Sequence, residues 1–192
     1  MTTNPNQISL ASASPRRREL LDQLGIRYRL LKISVDESAL DDELPLHYVE
    51  RLARAKADVG YLSQPDLPVL GADTCVVINN KILGKPQSVE HAVEQIQLLS
   101  GRIHQVYTAV AIRNQRCVSC VQISNVKFRH LTLEQSQRYV AAGESLDKAG
   151  SYAVQGLAAS FIEHIDGSFS GIMGLPLFET TRLLKLSNIA VL

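Results

Sequence analysis

Short apolar runs alternate with helical stripes along the whole chain. Residues 8–11 read as a strand, and Ser14-Pro15 behind it supply a helix N-cap and first helical residue. Leu20, Leu21 and Leu24 then form one apolar face until Gly25 stops the helix. The chain over 28–35 reads as extended. After an acidic, proline-containing loop, Val49, Leu52, Ala53, Ala57 and Gly60 recur at helical spacing, which predicts a helix over 47–61. Lys56 falls on that inward stripe, and an inward lysine needs a reason.

Two strands are expected next, over 68–72 and 74–78, with Asn79-Asn80 as a two-residue hairpin loop leading into 81–84. In that register residue 78 faces 81 and Thr74 faces Lys85, with Asp73 next door. Ser88 caps a helix to 99, and Gly101 ends it. The β-rich runs 103–112 and 117–130, around the polar turn 113–116, predict a long hairpin. A helix over 133–142 is capped by Thr132 and followed by Gly143. A polar, glycine-containing loop over 147–156, a strand over 160–165 and a helix over 175–186 opened by Pro176 complete the pattern. No period of 20 to 50 residues repeats and no segment is of low complexity. Strands and helices interleave throughout, so the expected fold is mixed α/β, a long twisted sheet with helices on both sides.

Composition narrows the picture without changing it. The chain has 192 residues, 45% hydrophobic and 20% charged, which allows one good-sized core or two small lobes around a cleft. We read it as a single domain, 1–192. Twenty Lys+Arg against 19 Asp+Glu leave a net charge of +1, which argues against coating nucleic acid or an anionic membrane through bulk electrostatics. Local clusters must carry any anion binding. Residues 1–7 have no basic stretch followed by an apolar region of the secretory type, and no apolar run approaches the roughly 20 residues of a membrane helix. Three cysteines, an odd number, suit a reducing compartment, and the expected location is cytoplasmic. Cys117 and Cys120 form a C-x-x-C, but on a strand an offset of three puts them on opposite faces.

Four stretches carry candidate chemistry. Ser12-Ala13-Ser14-Pro15-Arg16-Arg17-Arg18 puts two hydroxyls and three guanidinium groups at a predicted helix N-terminus. Free N–H groups there favour an anion and arginine adds bidentate contacts, so the stretch is either a phosphate cradle or a solvated basic helix face. It is not a Walker loop. Asp73 lies between two apolar strands, where a carboxylate is costly unless it meets a cation or a proton donor, or caps a turn. Asp36-Glu37 could bring a second carboxylate to the same edge, and such a pair suits Mg²⁺ or Mn²⁺ shared with substrate phosphates. Lys56 and Lys85 either neutralise phosphate charge or, respectively, snorkel and decorate a surface turn. The 147–156 loop suits the lining of a polar pocket. Gln155 in it can donate and accept, as reading a nucleobase edge requires, or is an ordinary solvated amide. The five histidines show no zinc spacing, and neither a G-x-S-x-G elbow nor a G-x-G-x-x-G turn occurs. The remaining groups suit metal-assisted hydrolysis of a nucleotide polyphosphate.

In this order the pieces resemble the Maf-like nucleotide pyrophosphatases. The resemblance runs from about residue 10 to 184. It rests on Leu10-Ala11-Ser12-Ala13-Ser14-Pro15-Arg16-Arg17, Asp36-Glu37, Arg51-Leu52-Ala53 with Lys56, Gly71-Ala72-Asp73-Thr74, Gly84-Lys85-Pro86, Asp147-Lys148-Ala149-Gly150 and Gly174-Leu175-Pro176. It implies two lobes around a central cleft in an elongated fold like that of the inosine triphosphatases. It also implies a divalent cation, and hydrolysis of nucleoside triphosphates to the monophosphate and pyrophosphate. Arg16, Thr74 and Gln155 resemble the specificity positions of the dTTP/UTP branch. Asp73 matches the proposed proton acceptor, and Ser12, Arg17, Glu37, Lys56 and Lys85 match further pocket positions. Ala13, where glycine is common, and Cys75, where an aliphatic residue is usual, are the departures. On this reading Glu37 and Asp73 hold the cation, although a carboxylate bound directly to it is a weaker base, so Asp73 holds the cation or takes the proton. The implied partners are the nucleotide and, by analogy, a second copy in a homodimer, with no nucleic acid and no membrane. A pyrophosphatase for non-standard purine triphosphates and a nucleotide-binding regulator of cell division are the rival readings.

Overall fold

A computed structural model of the protein describes residues 7–191. Except for Gln7, the N-terminal stretch read as lacking a secretory pattern lies outside the described residues. The elements run β1 (Gln7–Ala11), α1 (Pro15–Gln23), β2 (Arg27–Leu30), α2 (Pro45–Ser63), β3 (Val69–Ile78), β4 (Lys81–Leu83), α3 (Val89–Leu99), β5 (Ile103–Arg113), β6 (Cys117–Phe128), α4 (Leu133–Ala141), β7 (Ile162–Asp166), α5 (Phe169–Met173) and α6 (Leu177–Leu186). Seven strands form one mixed sheet in the order β2-β1-β3-β5-β6-β7, with β4 paired to β3. β1 runs parallel to β2 and β3, whereas the β3–β4 and β6–β7 pairs are antiparallel. The mixed α/β class expected from the alternating pattern is therefore the one observed.

Several elements differ from the sequence reading. The expected extended run over 28–35 is strand only as far as Leu30, with Leu31 N–H donating to the Leu10 carbonyl at 2.9 Å, and the two strands over 68–78 are one continuous strand through Asp73. Asp73 stays in line because its carboxylate is paired there, so no break is needed to expose it. Asn79 and Asn80 take φ of 50° and 60°, as the tight hairpin requires, and Ile78 pairs with Lys81. The ladder stops at Val76–Leu83, so the expected pairing of Thr74 with Lys85 is not made. The Gly84 carbonyl instead accepts from Gly150 N–H at 3.3 Å. The last helix starts at Leu177 with Pro176 as its N-cap residue, and α5 was not anticipated from the sequence.

The described residues divide into two compact units, one comprising 7–73, 108–122 and 174–191, the other 74–107 and 123–173. In the first, α2 lies against β1 and β3 with Val49, Leu52, Ala53, Ala57 and Gly60 buried, as the stripe predicts. The approach is close. A Cβ on Gly71 would sit 2.3 Å from the Ala53 carbonyl oxygen and 2.6 Å from the Ala57 nitrogen, so only glycine fits.

The second unit is built on Val76, Ile96, Leu99, Val126, Phe128, Tyr152 and Phe161. Phe128 is its hub, with edge-on contacts to His104, Tyr152 and Phe161 at centroid distances of 4.8, 4.9 and 4.9 Å. His104 is 1% exposed, and its Nε2 lies 2.9 Å from the Tyr152 hydroxyl. Burial pulls its pKa down to about 3, so the ring is neutral in the folded protein throughout the range where an unfolded histidine protonates near 6.5. The unfolded chain therefore binds the extra proton, and stability present at neutral pH is lost as pH falls below about 6.5, by up to about 1.4 kcal/mol per pH unit. His104→Phe keeps the aromatic packing and is expected to flatten the fall of Tm between pH 6.5 and 4. Parallel melts of the two proteins check this, and identical acid slopes would refute it.

Candidate active site

The turn after β1 is organised by Ser12 and Arg17. The Ser12 hydroxyl accepts from Ser14 N–H at 3.2 Å and from Arg17 Nη1 at 3.0 Å. Ser14 occupies the N-cap position, but its side chain makes no capping bond. The expected cap is thus positional only. Arg17 is buried and its Nε donates to the Gly174 carbonyl at 2.8 Å, tying α1 to the Gly174-Leu175-Pro176 segment of the same unit. Burial pulls the Arg17 pKa down, while the Asp73 and Glu37 carboxylates pull it back up. Arg16 beside it is half-buried.

The acidic loop before α2 is fastened by that helix. Asp36 accepts from Ser38 N–H at 2.9 Å, Arg51 pairs with Glu43 at 2.6 Å and donates to the Ser38 carbonyl at 2.9 Å, and Tyr48 donates to the Glu37 carbonyl at 3.0 Å. The result delivers Glu37 to the inward lysine. Lys56 Nζ is 2.6 Å from Glu37 Oε1 and 2.7 Å from Asp73 Oδ1. The lysine that needed a reason bridges the two carboxylates singled out in the sequence. Their surroundings differ, since the Asp73 side chain is 11% exposed and that of Glu37 55%. Burial pushes the Asp73 carboxyl above its ordinary value, with Lys56 and Arg17 pulling against it.

Thr74, Lys85 and Gln155 belong to the second unit. Thr74 is half-buried directly after Asp73 on β3, whereas Lys85 and Gln155 are exposed on loops. The Gln155 turn is held by Glu144, whose carboxylate accepts from Leu157 N–H at 2.9 Å. A Cβ on Gly156 would meet that carboxylate oxygen at 2.3 Å. Sequence reasoning did not assign Glu144, Tyr48 or the Gly174 carbonyl. Only the last had a visible sign, in the Gly-Leu-Pro segment.

Among the described residues no group of three His, Cys, Asp or Glu side chains forms a metal cage. Glu37 and Asp73 are a two-carboxylate set, which fits a hard cation completing its shell with substrate phosphates and water. Among the described residues Cys75, Cys117 and Cys120 form no disulfide, and burial pushes the Cys120 thiol up to about 11, so it resists becoming a thiolate. No described helix is long and apolar enough to cross a membrane.

A mixed α/β chain thus carries a polar site with a buried lysine between two carboxylates and, in the same unit, a hydroxyl- and arginine-rich helix start. The family model described as "Maf-like protein" matches residues 7–187, and the chain belongs to that family. It is 51% identical over 183 residues to the "dTTP/UTP pyrophosphatase" of Alkalilimnicola ehrlichii, covering 92% of this chain and 91% of that one. Identity to the protein of the same name from Nitrosomonas europaea is 47%, over 100% of this chain and 99% of the relative. With that from Escherichia coli it is 48%, over 93% and 92%. The family expected from the motifs is the family found.

Proposed function

We propose that this protein is a dTTP/UTP pyrophosphatase that hydrolyses the triphosphate to the monophosphate and pyrophosphate. The observation that carries the reading is the Glu37–Lys56–Asp73 cluster, in a chain about half identical to proteins bearing that name. Water attacks the α-phosphorus as the bond to the bridging oxygen breaks, and Asp73 takes the proton. A buried carboxyl held above its ordinary range suits that role. Glu37, the more exposed carboxylate, would hold Mg²⁺ or Mn²⁺, joined by Asp73 only if Asp73 is a ligand instead of the base, and the bound cation would supply Lewis-acid polarisation of the phosphates. Lys56 holds the two carboxylates in place. Arg16, Arg17 and Lys85 offset charge on the phosphates, with Ser12 shaping the turn at the helix start. Thr74 and Gln155 read the pyrimidine.

On this reading the 192 residues act as one Maf-like domain, as a homodimer, in the cytoplasm, on a free nucleotide rather than on nucleic acid or a membrane. The test is pyrophosphate release from dTTP, UTP, CTP, GTP, 7-methyl-GTP and ITP with Mg²⁺ or Mn²⁺, each repeated with EDTA. Turnover confined to dTTP and UTP and abolished by EDTA is expected. A purine preference would favour a house-cleaning hydrolase, and nucleotide binding without turnover would favour a regulator.

A further inference from the structure

The apolar face of α3 carries one buried amide. Ala92, Ile96 and Leu99 are fully buried there, and Gln95 lies among them at 4% exposure. An amide in such a place is costly unless its polar atoms are paired. Both are. Gln95 Nε2 donates to the Gly84 carbonyl at 3.3 Å, and Oε1 accepts from the Ser151 hydroxyl at 2.6 Å. Ser151 is itself fully buried and stands at φ 62°, after Gly150 at φ 68°. Left-handed backbone at a residue with a side chain is costly and persists only where surrounding contacts fix it. Gly150 cannot be larger, because a Cβ would lie 2.8 Å from a Val76 methyl, and its N–H donates to the same Gly84 carbonyl.

The α3 side chain of Gln95 and the distant turn at Gly150 thus share one acceptor, the carbonyl immediately before Lys85. Packing alone would put leucine at position 95, so the amide has a purpose other than filling the core. We propose that Gln95, together with Ser151, is a positioning residue for the hydrolysis: it fixes the Gly84 carbonyl against the 147–151 turn and thereby sets where the Lys85 ammonium acts. This rests on the reading of Lys85 as a group that offsets phosphate charge. Small displacements of such a charge are expensive, since a misplacement of about 1 Å can cost roughly 10²-fold in rate.

The experiment is a double-mutant cycle of Gln95→Leu and Lys85→Met in the full chain, read as kcat and KM for dTTP with saturating Mg²⁺, alongside Tm. Gln95→Leu is expected to lower kcat about tenfold or more, and the double variant to be no slower than Lys85→Met alone, because both act through one group. Multiplying losses would mean that Gln95 acts independently of Lys85 and would overturn the proposal. So would wild-type kcat in Gln95→Leu. If Lys85→Met alone keeps wild-type kinetics, the Lys85 reading fails first and the positioning role falls with it. Ser151→Ala, which removes one hydroxyl and leaves the helix face intact, enters the same cycle if Gln95→Leu does not fold.

Discussion

Asp73→Asn is expected to lose roughly 10²- to 10⁴-fold in kcat with dTTP, the range that removal of a positioned general base produces. The fold should survive. The substitution is nearly isosteric, and Lys56 keeps Glu37 as a partner at 2.6 Å. Burial holds the Asp73 carboxyl above its ordinary value, so the folded protein takes up its proton more readily than the unfolded chain does. The associated stability is present below the ordinary carboxylate range and lost as pH rises through the raised value. At neutral pH the ionised side chain is therefore a burden on the fold, and Tm of Asp73→Asn should equal or exceed that of the wild type. Titrating the variant with Mg²⁺ separates the two roles open to this residue. A loss that extra cation does not recover marks the base, and one that it does recover marks a ligand. A folded variant with wild-type turnover would remove Asp73 from the chemistry altogether.

Gly71→Ala should be the most damaging single methyl in the first unit. The new Cβ would meet backbone atoms of α2, the Ala53 oxygen at 2.3 Å and the Ala57 nitrogen at 2.6 Å, and backbone cannot rotate away as a side-chain tip can. Overpacking of this kind costs about 3 kcal/mol. For a chain of this length that corresponds to a fall in Tm of roughly 6 to 12 °C. The second effect is on the site, because α2 carries Lys56 and β3 carries Asp73, and their 2.7 Å contact exists only at the present spacing. The folded fraction should therefore also lose turnover, measured as kcat per active protein below the new Tm. An unchanged melt would show that the helix yields without cost.

The repeating patterns made much of this fold legible. The stripe on α2 named its buried face correctly, and it singled out Lys56 because a charge there breaks the pattern. Asp73 stood out for the same reason between its apolar neighbours, as did the Asn79-Asn80 turn through its backbone demands. Gln95 breaks its own helix's pattern in the same way, yet a neutral amide is a weaker irregularity than a charge and went unnoticed. The pairing of Thr74 with Lys85 failed for a different reason. A hairpin register extrapolates only while the two strands continue, and Gly150 captures the Gly84 carbonyl where the ladder would have gone on.

By itself the sequence determined the mixed α/β class, the inward lysine, the carboxylates at 37 and 73 and the family to which the chain belongs. These are written in periodicity and in short motifs, which depend on neighbours a few residues away. Tertiary structure alone decided that Lys56 bridges Glu37 and Asp73, that Arg17 is fastened to the Gly174 carbonyl, and that Gln95 and Gly150 share the carbonyl before Lys85. Each of these contacts joins residues between 11 and 157 positions apart. Local pattern fixes which face of an element is buried, but the partner met on that face depends on how the elements pack, and no spacing along the chain encodes it.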